Sequence, residues 1–115
     1  MDINEVILTG RVFGMGYNPY KNRDYGVAEG KISVMVGKFG PNKEPSYDEF
    51  YIRSYGQKAL VHSELEDGTY VTLKGRLRED VRVNSGEPDK ARSKTYVNID
   101  SLKVMKNYDV EDDAE

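Results

Sequence analysis

The fold is decided by residues 48–78, whose sequence is DEFYIRSYGQKALVHSELEDGTYVTLKGRLR. Alternating apolar and polar side chains predict a β-strand at Asp48–Tyr55 and another at Thr69–Arg78. Between them, Gln57–Glu66 is the one segment with a convincing helical pattern, with Leu60, Val61 and Leu65 as its expected buried side. Gly68 follows where the end of a helix is expected. The stretch therefore predicts a strand, a short helix and a strand.

Three further strands flank this unit. Alternation predicts Glu5–Phe13 and Lys31–Phe39 before it and Thr95–Val104 after it. The segments between are expected to be loops or turns, at residues 14–26, 40–46 and 84–94. The order β-β-β-α-β-β predicts an all-β, five-stranded OB-fold barrel with one helix between strands 3 and 4.

The alternation also predicts which side chains face the core. Strand 2 would bury Ile32, Val34 and Val36, and strand 3 would bury Phe50 and Ile52. The last two strands would bury Val71, Leu73, Leu77, Val97 and Ile99. Gly10 and Gly75 lie inside strands, where such barrels need tight bends.

The chain has 115 residues, no cysteine and a net charge of −3. Its length predicts one OB-fold domain over residues 1–105, and the composition of residues 106–115 predicts a short, disordered acidic tail. The body carries a net +1 and the tail a net −4. The start of the chain lacks the pattern of a signal peptide, and no stretch approaches the roughly 20 apolar residues of a membrane span. We therefore expect no membrane contact and a cytoplasmic location (the nucleoid, or the host cytoplasm if the protein is viral).

Aromatic and basic side chains recur at a spacing that suits a single-stranded nucleic acid, which is held by stacking on aromatic rings and by cations at phosphates. Strand 3 carries Tyr51, Arg53 and Tyr55 on one face, and strand 4 carries Lys74, Arg76 and Arg78. The alternatives are ordinary solvent-facing residues in strand 3, and pairing of the strand-4 cations with Asp48, Glu49 or Asp100. The loops that flank the OB-fold cleft add Tyr17, Tyr20, Lys21 and Arg23 from the first, and Lys90, Arg92 and Lys94 from the second, although both loops would also be compatible with plain solvation.

Catalytic motifs are weak. His62 is the single histidine and is expected to lie on a solvated helix face rather than in a metal or acid–base site. Gly14 and Gly16 begin a glycine pattern that has no third glycine at position 19 and no helix after it. We expect no enzyme activity, no cofactor and no metal.

Three segments resemble the bacterial and phage single-stranded DNA-binding (SSB) family: NEVILTGR at 4–11, YGQKAL at 55–60 and DGTYVTLKGRL at 67–77. The resemblance runs from Asn4 to Met105. It implies an OB-fold, single-stranded DNA (ssDNA) as partner, no catalysis and a homo-oligomer, tetramer or dimer. Phe39 and Tyr55 fall near positions where the family stacks bases on Trp, and Arg11 joins the cations expected to meet phosphates.

The sequence thus predicts binding and protection of ssDNA without sequence preference, in DNA replication, recombination or repair. Two alternatives stay open: a replication-accessory, primosomal-type OB-fold protein that acts mainly through protein partners, and an RNA-binding OB-fold protein. For the acidic tail we consider a solubilising role, competition with DNA for the basic cleft, and docking of replication proteins.

Overall fold

The computed structural model describes the backbone of residues 2–19, 26–84 and 87–105, and the side chains of these residues outside 81–93. The elements are β1 Val6–Pro19, β2 Gly26–Phe39, β3 Glu44–Gly56, α1 Gln57–Ser63, β4 Thr69–Asn84 and β5 Glu87–Val104. The strands form a closed barrel in the order β1-β2-β3-β5-β4. The predicted OB-fold, with one helix between strands 3 and 4, is confirmed. In the described part of the chain, no helix has the length and apolar character needed to cross a membrane.

The strands are longer than predicted because three β-hairpins continue past the barrel. β1 runs on to Pro19, paired only with β2, so the predicted loop at 14–26 is wrong for residues 14–19. β3 already begins at Glu44, and β4 and β5 stay paired to Asn84 and Glu87, where a loop was predicted. Residues 44–50 of β3 are all exposed, so this extension lacks the apolar alternation that marks a half-buried strand.

The core is formed by the inward-facing side chains of all five strands. The fully buried cluster consists of Val12, Ile32, Ile52, Val71, Leu73, Val97 and Ile99. The predicted core positions Val36, Phe50 and Leu77 are wrong, with 50%, 38% and 47% of their surface exposed. Phe50 and Leu77 lie where their strands are paired on one side only. Val36 lies at a register shift between β2 and β3, past the last residue of β2 that pairs with β1.

Gly10 and Gly75 lie where two strands approach too closely for a side chain. A Cβ atom at Gly10 would lie 2.2 Å from the carbonyl oxygen of Ser33, and one at Gly75 would lie 2.0 Å from that of Asn98. The ladder between β4 and β5 also shifts its register at Gly75. Glycine is therefore required at both positions by close packing of the backbone, while the tight bends expected there stay a prediction.

Helix α1 differs from its prediction in length and in orientation. It ends at Ser63, and its buried residues are Ala59 and His62, whereas Leu60 and Val61 are 52% and 65% exposed. Gly68 does not end the helix; it has a positive φ and donates its N–H to the carbonyl oxygen of Val12, which leads the chain into β4. A helix of only two turns is oriented by its attachments at both ends more than by its own apolar pattern.

The prediction of a solvated His62 is also wrong. Its Nδ1 lies 2.7 Å from the hydroxyl of Ser54, which is fully buried on β3. Burial, with a contribution from the charge of Lys58, lowers the pKa of His62, so the neutral ring is favoured. This hydrogen bond gives the buried hydroxyl of Ser54 a partner that it would otherwise lack.

We predict that Gly75→Ala destabilises the barrel by about 1–3 kcal/mol or more, because its Cβ would meet backbone atoms that cannot move without breaking the ladder. Gly16→Ala is the matched control, since a Cβ there would meet nothing within 4 Å. Urea unfolding of both variants measures the difference. Equal stability of the two would contradict this account of Gly75.

Candidate nucleic-acid interface

The outer face of β3 carries the row that the sequence predicted. Tyr51, Arg53 and Tyr55 alternate with Ile52 and Ser54, which are fully buried on the opposite face. The predicted orientation of this part of β3 is therefore confirmed. The three outward side chains nevertheless differ in environment: Tyr51 is 42% exposed, Arg53 only 8%, and Tyr55 is half-buried.

A groove of about 600 Å³ lies over this face, and we call it the β3 groove. Lys31 of β2 and Tyr51 and Arg53 of β3 form its floor. Phe13 and Tyr17 of β1 line one side, and Lys94 of β5 lies on the other. The groove exists because the β1–β2 and β4–β5 hairpins extend past the barrel, so it depends on the segments that the sequence had predicted to be loops.

Two ammonium groups lie close to the Tyr51 ring. The Nζ atom of Lys94 is 3.8 Å from the ring centroid and that of Lys31 is 5.2 Å away. Lys31 is the direct cross-strand partner of Tyr51, and its Nζ is also 3.9 Å from a carboxylate oxygen of Glu49. An exposed ring flanked by cations offers a stacking surface for a base beside two groups that can meet phosphate oxygens.

Arg53 is held in ion pairs and is not open to solvent, so its contact with a phosphate stays a prediction. Its guanidinium contacts the carboxylates of Glu29, at 3.3 Å, and Asp80, at 3.0 Å, and lies 4.2 Å from the ring centroid of Tyr96. Burial alone would lower the pKa of Arg53, but its hydrogen bonds with Tyr55 and Asp80 and the charge of Glu29 raise it overall. Arg53 is therefore a charged link between strands, although its face of β3 is the predicted one.

Tyr55 is half-buried and is not among the residues that line the β3 groove. Its hydroxyl lies 3.4 Å from that of Tyr96. Burial raises the pKa of Tyr55, and the hydrogen bond with Tyr96 adds to the effect. Its role in stacking a base stays a prediction.

The basic row of β4 lies on another part of the surface. Lys74, Arg76 and Arg78 are exposed, as predicted, but none of them lines the β3 groove. Arg76 is 3.5 Å from Asp100, which is the cross-strand pairing considered as the alternative, and Lys74 is 2.8 Å from Glu5. A hydrogen bond with Glu5 raises the pKa of Lys74. Binding of DNA by this row stays a prediction.

The remaining predicted residues are divided among several places. Phe39 is 62% exposed at the end of β2, about 26 Å along the strand from Lys31. Arg11 is half-buried, donates a hydrogen bond to the carbonyl oxygen of Gly68 at 2.8 Å and lies over the ring of Tyr70. Five predicted residues and the tail lie outside what the structure describes: Tyr20, Lys21, Arg23 and residues 106–115 wholly, and Lys90 and Arg92 in their side chains.

Of the aromatic and basic side chains that line the groove, the sequence prediction missed two, Phe13 and Lys31. Phe13 follows Val12 and Lys31 precedes Ile32, and both of these neighbours are expected to face the core. Because side chains alternate along a strand, the pattern alone indicated that Phe13 and Lys31 point outward. Their meeting with Tyr51 depends on the register, in which Phe13 pairs with Lys31 and Lys31 with Tyr51. Among the described residues, no cluster of three or more His, Cys, Asp or Glu side chains is placed to hold a metal ion.

Comparison with solved structures identifies proteins of the same architecture. The small single-stranded DNA-binding protein from Streptomyces coelicolor superposes with a TM-score of 0.66 at 16% identity, over 91% of this chain and 96% of that one. The Plasmodium falciparum SSB in its complex with ssDNA gives 0.74 at 18% identity, over 92% and 97%. The chain has the fold of single-stranded DNA-binding proteins. The resemblance to the SSB family noted in the sequence is thus supported at the level of fold, while no protein-family model and no curated protein sequence matched the chain.

We predict that Arg53→Gln lowers the free energy of unfolding by about 2–3 kcal/mol, because Glu29 and Asp80 both lose a charged hydrogen-bonding partner. Arg76→Gln removes the same charge from an exposed pair with Asp100 and should cost at most about 1 kcal/mol. Urea unfolding of the two variants makes the comparison. Similar small losses in both would mean that Arg53 is not a structural link.

Proposed function

We propose that this protein binds single-stranded DNA without sequence preference, and protects it during DNA replication, recombination or repair without catalysing a reaction. The observation that carries the proposal is the exposed Tyr51 ring on the floor of the β3 groove, with the ammonium groups of Lys31 and Lys94 at 5.2 and 3.8 Å from its centroid.

This arrangement supplies both interactions that hold a single strand. Every base has a flat π-face, so stacking on Tyr51 and on the neighbouring Phe13 and Tyr17 does not depend on sequence. The acidic groups beside the groove, Glu29 and Asp80, are in ion pairs with Arg53, which reduces their repulsion of a phosphate. In a duplex the base faces are covered by neighbouring base pairs and are not open to stacking on a tyrosine.

The structural neighbours support the proposal, since both are named as single-stranded DNA-binding proteins and the Plasmodium protein was solved with ssDNA. We also propose a homo-oligomer, tetramer or dimer, as the sequence resemblance of residues 4–11, 55–60 and 67–77 to the SSB family implies, and a cytoplasmic location. Docking of replication proteins on the acidic residues 106–115 is part of the proposal. The acidic charge of that segment, five carboxylates against one lysine, is the feature on which it rests.

We predict that the protein binds oligo(dT) far more tightly than a duplex of equal length, measured by the anisotropy of a labelled strand. Tyr51→Ala should weaken oligo(dT) binding by about 1–3 kcal/mol with little change in salt dependence, and Tyr51→Phe should retain most of the affinity. Lys94→Gln should instead reduce the slope of log K against log salt by about 0.7. Lys103→Gln, which removes an exposed charge outside the groove, is the matched control.

Three outcomes of this titration would contradict the proposal. Equal affinity for duplex and single strand would leave no role for stacking. Tighter binding of oligo(rU) than of oligo(dT) would indicate an RNA-binding protein that uses the 2′-hydroxyl. Weak binding of every oligonucleotide would favour a replication-accessory protein that acts through protein partners.

A further inference from the structure

A second groove lies on the outer face of β1, β2 and β3, beside the one already described. Its volume is about 890 Å³, and we call it the β1 groove. It is lined by three cations and three aromatic rings: Arg11, Lys38, Lys43, Phe13, Tyr47 and Tyr70. Of these, only Arg11 was expected from the sequence to bind DNA.

The register of the strands places several of these side chains in cross-strand pairs on one face of the sheet. Arg11 pairs with Tyr70 on one side and Ser33 on the other, and Met35 pairs with Tyr47. Residues directly opposite in antiparallel strands point to the same face. Tyr47 is 54% exposed and Met35 43% exposed, so a ring and an apolar side chain are open to a ligand.

Arg11 is fixed within this groove. One guanidinium nitrogen donates to the carbonyl oxygen of Gly68 at 2.8 Å, and the guanidinium carbon lies 5.6 Å from the centroid of the Tyr70 ring. A guanidinium has five N–H donors, so most remain for an acceptor such as a phosphate oxygen. The held position reduces the entropy that Arg11 loses when it binds.

The positive charge of the β1 groove indicates that its ligand is negatively charged. None of the described residues that line it is acidic, whereas the β3 groove includes Glu29. If two copies of the chain met through this face, six cations would come together, and no groove residue would supply a carboxylate to pair with them. The repulsion between these charges opposes self-association through the groove. A polyanion with flat apolar faces fits both the cations and the rings.

The two grooves meet at Phe13, which lines both of them. The cross-strand pair Lys31–Tyr51 is separated from the pair Met35–Tyr47 by four residues, which is about 13 Å along β2. The pair between them is Ser33 and Glu49, and the carboxylate of Glu49 lies 3.9 Å from the Nζ atom of Lys31. A strand bound over Tyr51 can therefore continue past Phe13, on the β1 side, into the β1 groove without leaving the sheet.

We propose that the β1 groove is a second binding segment for the same single-stranded DNA, with Tyr47 as its stacking ring and Arg11 and Lys38 as its phosphate contacts. The proposal rests on the proposed function of the β3 groove, which it extends into one continuous track.

The test measures the affinity of the full chain for oligo(dT) of about 16 nucleotides, the upper end of the range bound by one OB-fold. Tyr47→Ala should weaken binding at least about fivefold, and Tyr47→Phe should restore it. Lys38→Gln should lower the salt slope by about 0.7, as one lost phosphate contact does, while the control Lys103→Gln leaves the affinity unchanged. Urea unfolding of Tyr47→Ala accompanies the titration, and the exposed ring predicts unchanged stability.

The outcomes separate this proposal from the proposed function. If Tyr51→Ala weakens binding while Tyr47→Ala and Lys38→Gln do not, the β1 groove is not part of the track, and the β3 groove keeps its role. If none of the three has an effect, both proposals fail. If Tyr47→Ala changes the molar mass in light scattering and leaves oligo(dT) affinity unchanged, the groove is an interface between copies, and the inference is overturned.

Discussion

The structure depends on the guanidinium of Arg53. This one group on β3 contacts Glu29 on β2, Asp80 on β4 and the ring of Tyr96 on β5. In the described residues β3 and β5 are joined by two residue pairs, Ile52 with Val97 and Arg53 with Asn98, and this parallel ladder closes the barrel. Arg53 thus adds a charged link at the shortest ladder of the barrel.

The same link determines the character of the candidate site. The β3 groove lies between two hairpins, and Glu29 and Asp80 belong to one each. With their carboxylates bound to Arg53, the ammonium groups of Lys31 and Lys94 beside Tyr51 face less negative charge. Arg53 therefore holds the two sides of the groove together and neutralises its acidic groups, although it does not itself reach into open solvent.

The sequence predicted the parts of the fold in which a strand is buried on one face. Alternation over Asp48–Tyr55 correctly separated Tyr51 from Ile52. The glycines at 10 and 75 were expected to allow tight bends, and the structure shows that they allow the close approach of neighbouring strands. The extension of β3 over residues 44–50 was not predictable in this way, because a strand that is exposed along its whole length carries no period-two signal. The two-turn helix was too short for its own pattern to determine which side is buried, so His62 was assigned to the wrong face.

The candidate site was predicted in composition but not in arrangement. A pattern indicates that Arg53 points to the outer face of β3, but not that the β4–β5 hairpin brings Asp80 and Tyr96 over it. Likewise, the contact of Lys31 and Lys94 with one tyrosine ring depends on pairing between strands far apart in the sequence. Such contacts follow from register and hairpin length, which a single sequence specifies only weakly.

The most direct test of the account is an NMR titration of the ¹⁵N-labelled chain with oligo(dT), followed through the backbone amide shifts. We expect the largest changes in the β3 groove, at Phe13, Gly16, Gly30, Lys31, Tyr51 and Lys94. Changes concentrated on the outer face of β4, around Lys74, Arg76 and Arg78, with the β3 groove unaffected, would contradict it.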